Sequence, residues 1–210
     1  MEKTVCYELI SKCKVVPAVR ADSGEQALQI VDALEKGGVS CIEITMAVPG
    51  AAEVIKQVSQ NFPNIAVGAG TVLDGYTAQK AVESGASFVV GPCFQKGIIT
   101  VCQRYGVLCQ IGALTSSEML TAYEAGADVV KIFPVGQLGP GYVKGLKAIL
   151  PHIPVVAVGG INLENALSYI KAGAAAVGVA SALVDKKAVK ESQFHVITEN
   201  AIKFIQALTL

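Results

Sequence analysis

Lys131 lies in a short apolar run and could carry covalent carbonyl chemistry. The run DVVKIFP at residues 128–134 has the β-branched and apolar content of a buried strand. Burial disfavours the charged form of an amine, and a neutral amine is a nucleophile that condenses with carbonyl compounds to Schiff bases. Taken alone, a lysine at a strand end more often reaches back to solvent. Whether Lys131 can form a Schiff base therefore depends on which residues surround it in the folded protein.

Glu43 is the second residue of this kind, in the run CIEIT at residues 41–45. The isoleucines of this run suit a helix-covered face, which turns Glu43 and Thr45 toward the other face of the sheet. A buried carboxylate near a buried amine costs free energy unless the two groups are coupled. The pair is either a structural ion pair or a proton shuttle beside a Schiff-base lysine. Their positions at two strand ends favour the shuttle.

Eight strand patterns alternate with helical patterns along the 210 residues. The predicted strands span 15–20, 39–44, 65–69, 87–91, 107–111, 128–132, 154–158 and 175–179. The predicted helices span 26–35, 51–60, 76–83, 96–104, 117–124, 142–150, 164–171 and 185–208, and an extra helix spans 3–13. Eight βα units without a linker predict one domain over residues 1–210, an α/β (β/α)8 TIM barrel with an extra N-terminal helix. A doubly wound open sheet is the rival.

The carboxyl ends of barrel strands form the functional face, and they supply further candidates. Arg20 ends the first strand and could bind a carboxylate or form a rim salt bridge. Thr71 follows a glycine-rich third strand, a pattern of close ligand approach or of a plain turn. Gly159 and Gly160 precede a helix, and Ser181 follows the eighth strand. These two loops often bind phosphate in barrels.

The charge balance, apolar runs and cysteine content of the chain indicate which classes of protein it could belong to. The chain has 17 basic and 17 acidic residues, so its balance favours neither nucleic acid nor an anionic membrane as partner. No apolar run has the length of a membrane span, and no leader pattern opens the chain. Six cysteines without metal-ligand spacing fit free thiols in a reducing cytoplasm. We therefore expect a cytoplasmic protein without a metal site.

The motifs together resemble the 2-keto-3-deoxy-6-phosphogluconate (KDPG) and 4-hydroxy-2-oxoglutarate aldolase family. The segments that carry the resemblance are EIT at 43–45, GAGTVL at 68–73, KIFP at 131–134 and VGGIN at 158–162. It implies that Lys131 forms the imine and that Glu43 is the acid–base residue. It implies that Thr71 and Phe133 line the pyruvate end and that Gly159, Gly160 and Ser181 surround the phosphate. It further implies that no cofactor takes part and that the protein is a homotrimer.

Several positions depart from the family pattern and bear on the substrate. Many relatives carry an arginine four residues after the glutamate for the substrate carboxylate, and this chain has Ala47 there. Arg20 matches an arginine of the 2-keto-3-deoxy-6-phosphogalactonate branch, so it is the candidate that replaces it. Val158 is also similar to the galactonate branch, and Ala180 replaces a common glycine beside the phosphate loop.

The resulting functional hypothesis is a Schiff-base aldolase for small 2-keto acids. It would cleave a 2-keto-3-deoxy-6-phospho sugar acid to pyruvate and glyceraldehyde 3-phosphate, and 4-hydroxy-2-oxoglutarate to pyruvate and glyoxylate. One alternative is a phosphate-binding barrel isomerase or synthase that uses Lys131 as a charge clamp, without a covalent intermediate. Another is a barrel that binds a metabolite or protein without turnover.

Overall fold

The computed structural model describes residues 1–209 and contains one closed barrel of eight parallel strands in sequence order. The strands are β1 (Val15–Val19), β2 (Cys41–Thr45), β3 (Ala66–Gly70), β4 (Phe88–Gly91), β5 (Leu108–Ala113), β6 (Val129–Ile132), β7 (Val155–Val158) and β8 (Ala176–Val179). The helices are α1 (Lys3–Cys13), α2 (Gly24–Lys36), α3 (Ala51–Asn61), α4 (Gly75–Glu83), α5 (Lys96–Tyr105), α6 (Ser116–Glu124), α7 (Pro140–Ile149), α8 (Ala166–Lys171), α9 (Lys186–Lys190) and α10 (Phe194–Leu208). The TIM barrel and its extra N-terminal helix are confirmed.

The prediction of one terminal helix over 185–208 was wrong. The segment forms two helices, and Ser192 between them adopts the left-handed conformation with φ of 56°. The amide of Gln193 donates to the carbonyl of Ala188, which closes the turn after α9. The break lies within the polar run KESQ at residues 190–193.

Strand alternation divides the apolar residues into two clusters. Ile42, Ile44, Val130 and Ile132 belong to the cluster between the sheet and the helices. The smaller cluster fills the barrel interior, where α1 contributes two side chains at the amino-terminal end. Its buried members are Cys6, Ile10, Val16, Cys41, Ala66, Phe88, Val90, Leu108, Val129, Val156 and Ala176. Below the functional face, the barrel interior is therefore largely apolar, and Gln110 of β5 is a buried polar side chain there.

The strand registers arrange the inward-facing residues in levels, with alternate strands contributing to each level. One level holds Glu43, Val90, Lys131 and Gly178. The next level toward the carboxyl ends holds Ala18, Gly70, Gly112 and Val158. Because three of these four residues are alanine or glycine, the barrel stays open above the lysine and the glutamate.

Residues 1–209 contain neither a helix that could span a membrane nor a group of side chains placed to hold a metal ion. None of the helices described has both the length and the apolar character needed to cross a membrane. In the same part of the chain, no three histidine, cysteine, aspartate or glutamate side chains come together as metal ligands could.

Candidate active site

One cavity of about 330 Å³ opens at the carboxyl ends of the strands, and its walls include every predicted site residue. These residues are Arg20, Glu43, Thr71, Lys131, Phe133, Gly159, Gly160 and Ser181. They come from six of the eight strands or from the loops that follow these strands, and they lie up to 161 positions apart in the chain. Only closure of the barrel brings them together.

Lys131 lies near the end of β6 with its side chain inside the barrel. It is only 6% exposed, although it lines the cavity. Its neighbours in register are Gly112 on β5 and Val156 on β7, which offer no charge. The Lys131 Nζ lies 5.5 Å from the centroid of the Phe133 ring. An amine in these surroundings is held in a dry wall and can still reach a ligand in the cavity.

No salt bridge within residues 1–209 includes Lys131. The structural ion pair that the sequence left open is therefore absent from this resting arrangement. The Lys131 amine and the Glu43 carboxylate line one cavity without neutralising each other directly. Such an arrangement leaves both the amine and the carboxylate available to a ligand in the cavity.

Glu43 is also 6% exposed, and the neighbouring strand determines where its carboxylate lies. Thr45 and Gly70 are partners in register. The Glu43 side chain lies where a side chain at Gly70 would begin. A Cβ added at Gly70 would overlap the Glu43 Oε1, Cδ and Cγ atoms. The third-strand glycine therefore provides the space that the carboxylate occupies. From the sequence, we expected this glycine to serve close ligand approach or a plain turn.

Thr45 is inward-facing as predicted, but it has a structural partner. Its hydroxyl donates a hydrogen bond of 3.0 Å to the carbonyl of Val19. The bond joins β1 and β2 directly beneath Arg20. Thr45 is 1% exposed and does not belong to the cavity wall.

Two residues provide polar and aromatic surface above the lysine. Thr71 has φ of 58°, which is a strained backbone for a β-branched residue and is typical of functional sites. Phe133 is 40% exposed and forms an apolar wall beside Lys131. A small ligand held between them would meet one hydroxyl group and one ring face.

Arg20 is exposed at the end of β1 and supplies a guanidinium group to the cavity. Ala47, where many relatives are expected to carry arginine, is exposed and lies outside the cavity wall. The arrangement therefore offers Arg20 as a bidentate partner for a ligand carboxylate.

The loops after β7 and β8 form the part of the cavity wall that continues from Arg20, because β8 pairs with β1. Gly159 and Gly160 have φ of 100° and 70°, and a Cβ at Gly160 would come within 3.0 Å of the Gly136 Cα atom. Side chains are excluded there, so the backbone itself faces the cavity. Ser181 contributes an exposed hydroxyl group. Backbone amides and a hydroxyl group suit an anion.

The helix expected to follow this loop at residue 164 begins later, at Ala166. The Asn162 side chain accepts hydrogen bonds from the Glu164 and Asn165 amides, at 3.1 and 3.0 Å. The Asn165 side chain in turn donates to the Gly160 carbonyl at 2.9 Å. Residues 164 and 165, which helical periodicity assigned to α8, thus belong to a turn closed by Asn162. The Asn165 hydrogen bond holds this turn to the glycine loop.

Pro92 is a cavity residue that sequence reasoning missed. Its carbonyl oxygen occupies the place that a side chain at Gly112 would need. The available signal was its position directly after β4, because each strand end contributes to this face. Ala18 was also missed, since an apolar strand residue carries no chemical signal.

Comparison with known proteins yields consistent similarities. The family model described as KDPG and KHG aldolase matches residues 7–200. A 2-dehydro-3-deoxy-phosphogluconate aldolase of Treponema pallidum is 34% identical over 165 residues, which cover 78% of this chain and 79% of the relative. A 2-dehydro-3-deoxy-6-phosphogalactonate aldolase of Escherichia coli is 35% identical over 175 residues, which cover 82% and 85%.

Solved structures give the same result for the fold. A KDPG aldolase of Legionella pneumophila, with pyruvate captured as a covalent carbinolamine intermediate, superimposes with a TM-score of 0.87. It is 26% identical, and the match covers 94% of this chain and 96% of that one. A structure described as native KDPGal has a TM-score of 0.84 and 32% identity, covering 92% and 93%.

Proposed function

Because the chain belongs to the KDPG and KHG aldolase family, whose members are carbon–carbon lyases, we propose that it is a class I aldolase acting through Lys131. Its substrate is a 2-keto-3-deoxy-6-phospho sugar acid, and a Schiff base forms between Lys131 and the 2-keto carbon. The buried amine that opens onto the same cavity as Glu43 is the observation that carries this proposal.

Substrate binding uses the charged and polar ends of the cavity. Arg20 binds the carboxylate, and the loops with Gly159, Gly160 and Ser181 bind the phosphate through backbone amides and a hydroxyl group. The pyruvate portion lies near Thr71, with Phe133 as its apolar wall. The two anionic ends fix the 2-keto carbon in front of Lys131, and such orientation lowers the barrier to attack.

The proposed reaction begins when the neutral Lys131 amine attacks the 2-keto carbon and forms a carbinolamine. Glu43, through a water molecule, delivers the proton that lets hydroxide leave as water, and the protonated imine results. Glu43 then removes the proton of the C4 hydroxyl group. The C3–C4 electron pair moves into the imine, the aldehyde leaves, and the enamine takes a proton at C3. Hydrolysis releases pyruvate and restores the amine.

The electron sink in this sequence is the protein-bound imine itself, so Lys131 and Glu43 account for each proton and bond. Glyceraldehyde 3-phosphate is the second product from the phosphorylated substrate. The same steps convert 4-hydroxy-2-oxoglutarate to pyruvate and glyoxylate, which we propose as a second activity because the matching family includes aldolases of both kinds.

A coupled pyruvate assay tests the proposal. The gluconate and galactonate epimers, each with and without the 6-phosphate, are compared with 4-hydroxy-2-oxoglutarate. We expect pyruvate from at least one phosphorylated epimer, no turnover by Lys131→Ala, and slowed turnover by Glu43→Gln. An isomerase or synthase that uses Lys131 as a charge clamp would bind sugar phosphate and release no pyruvate, and that result would refute the aldolase.

Assembly and location follow the same reasoning. We propose a homotrimer in the cytoplasm, in which the exposed Leu73, Tyr76 and Phe94 are candidates for burial between subunits. A protein cage designed by fusing symmetric oligomeric domains matches with a TM-score of 0.85 and 32% identity, which supports an oligomer. Six free thiols fit a reducing compartment. Sedimentation equilibrium should give three times the chain mass, and a monomer mass would contradict the trimer.

A further inference from the structure

A second cavity adjoins the active site and shares Arg20 with it. This cavity has a volume of about 490 Å³ and lies between the β1–α2 loop and helix α9. Arg20 lines both cavities, so its guanidinium group forms part of the wall between them. The proposed aldol chemistry requires nothing from the other residues of this second cavity.

Positive charge converges on the second cavity from two segments. Lys186 and Lys190 extend from α9, and Arg20 faces them from the end of β1, while Asp22 is the one carboxylate in the wall. None of the three cations takes part in a salt bridge within residues 1–209. The whole chain carries equal numbers of acidic and basic residues, so this excess of two positive charges is local.

The two lysines stand four residues apart on a helix of five residues. Like charges at this spacing lie about 5–6 Å apart between Cβ atoms and destabilise a helix. Asp185 stabilises α9 by accepting a hydrogen bond of 2.7 Å from the Ala188 amide, and Lys187 is 4.0 Å from Glu191. Within residues 1–209, neither Lys186 nor Lys190 forms a salt bridge of this kind. An anion in the cavity would supply one.

Gln26 adds an oriented donor to the same wall. Its side-chain oxygen accepts a hydrogen bond of 2.9 Å from the Asp22 amide. The Gln26 carbonyl group is thereby committed to the β1–α2 loop, which leaves its amide nitrogen as the group that can bind a ligand. Val184 and Val189 supply an apolar floor. The cavity therefore combines three cations and one neutral donor over a small apolar surface.

We propose that the second cavity is a binding site for a small molecule that carries a diphosphate group. The spacing of Lys186 and Lys190 lets each lysine contact one phosphate, and Arg20 contacts the phosphate nearer the active site. The volume is within the range of small-molecule sites. This assignment does not depend on the role of the Lys131 amine.

The shared arginine couples the two sites, and this step rests on the proposed function. If Arg20 binds the substrate carboxylate, a diphosphate in the second cavity competes for the same guanidinium group. The bound diphosphate then weakens substrate binding and leaves the chemistry at Lys131 unchanged. Inhibition of this kind raises KM and leaves kcat constant.

Calorimetric titration of the whole protein with inorganic pyrophosphate tests the site without turnover. The Lys186→Gln/Lys190→Gln variant should bind one pyrophosphate fewer per chain than the unaltered protein, or bind it about tenfold or more weakly. Lys187→Gln/Lys203→Gln is the matched control, because it removes the same charge from exposed lysines outside the cavity. Its stoichiometry and affinity should stay unchanged.

Equal pyrophosphate binding by the unaltered protein and by the cavity variant would overturn the site. An equal loss in both double variants would also overturn it, since net charge would then be the cause. Loss of pyrophosphate binding in the cavity variant alone supports the second site, even if the protein cleaves no substrate. The test of this site is therefore independent of the test of the aldolase proposal. Where turnover is measured, pyrophosphate should raise KM for the unaltered protein and for the control more than for the cavity variant.

Discussion

The space above Gly70 makes Gly70→Ala a sensitive test of how Glu43 is positioned. An added Cβ would overlap the Oε1, Cδ and Cγ atoms of Glu43, whereas the Gly70 backbone has no positive φ that an alanine would strain. Ordinary contact with that Cβ requires the carboxylate to move by about 1 Å or more. A misplacement of this size costs about 10²-fold in rate when a group must meet a reacting atom in a fixed geometry.

Gly70→Ala should cost about 1–3 kcal/mol in unfolding free energy, the usual range for overpacking, because the added Cβ also overlaps Cγ of the buried Glu43 and the whole side chain must shift. Gly145→Ala in α7 is the control, since a Cβ there meets nothing within 4 Å. It should leave kcat unchanged and gain about 1 kcal/mol from helix propensity.

A double-mutant comparison assigns the rate loss to the carboxylate. Glu43→Gln alone should lower kcat by about 10²–10⁴-fold, the usual contribution of acid–base catalysis. Adding Gly70→Ala to Glu43→Gln should then cost little more, because the displaced group no longer moves protons. Urea unfolding and the pyruvate assay provide both measurements. Fully additive losses, or normal kcat in a folded Gly70→Ala variant, would refute the positioning of Glu43 by Gly70.

The other predictions concern backbone strain, the carboxylate partner and helix capping. Thr71→Gly should raise the midpoint of thermal unfolding, because it relieves about 1–3 kcal/mol of backbone strain. Turnover should fall because the hydroxyl group is lost. An unchanged midpoint would show that Thr71 is not strained. Arg20→Gln should raise KM by roughly 10–100-fold with less effect on kcat, since a charge-assisted hydrogen bond contributes about 1.5–3 kcal/mol, and a normal KM would exclude Arg20 as the carboxylate partner. Backbone amides of Thr115 and Leu114 lower the pKa of Glu118, so this carboxylate stabilises the fold above its unfolded pKa and the contribution disappears as the pH falls through the folded value. Glu118→Gln, which keeps the acceptor but removes the charge from the first turn of α6, should therefore cost up to about 1 kcal/mol near neutral pH and less in acid, as measured by urea unfolding at several pH values.

Much of the site could be predicted because strand alternation is a local property. Ile42 and Ile44 identify the helix-facing side of β2, which fixes Glu43 on the other side, and the same logic fixes Lys131 on β6. The residue that follows each strand is then part of the functional face in any barrel of this kind. Eight candidates far apart in sequence accordingly line one cavity.

Other features depend on contacts that no local pattern encodes. The overlap of Glu43 with the space above Gly70 arises from the register of β2 and β3. The break at Ser192 and the late start of α8 depend on individual hydrogen bonds, which override helical periodicity. Likewise, Arg20 has two neighbouring cavities because α9, which is distant in the sequence, lies across a cavity from the β1–α2 loop.

Borohydride trapping measures the central claim most directly, since it tests whether the buried Lys131 amine is a nucleophile. The protein is incubated with pyruvate, reduced, digested and mapped by mass spectrometry, with Lys131→Ala and the surface variant Lys187→Gln treated in parallel. We predict one reduced pyruvate adduct per chain, attached to Lys131, in the unaltered protein and in Lys187→Gln, and none in Lys131→Ala. Absence of an adduct, or its attachment to a different lysine, would contradict Schiff-base catalysis by this barrel.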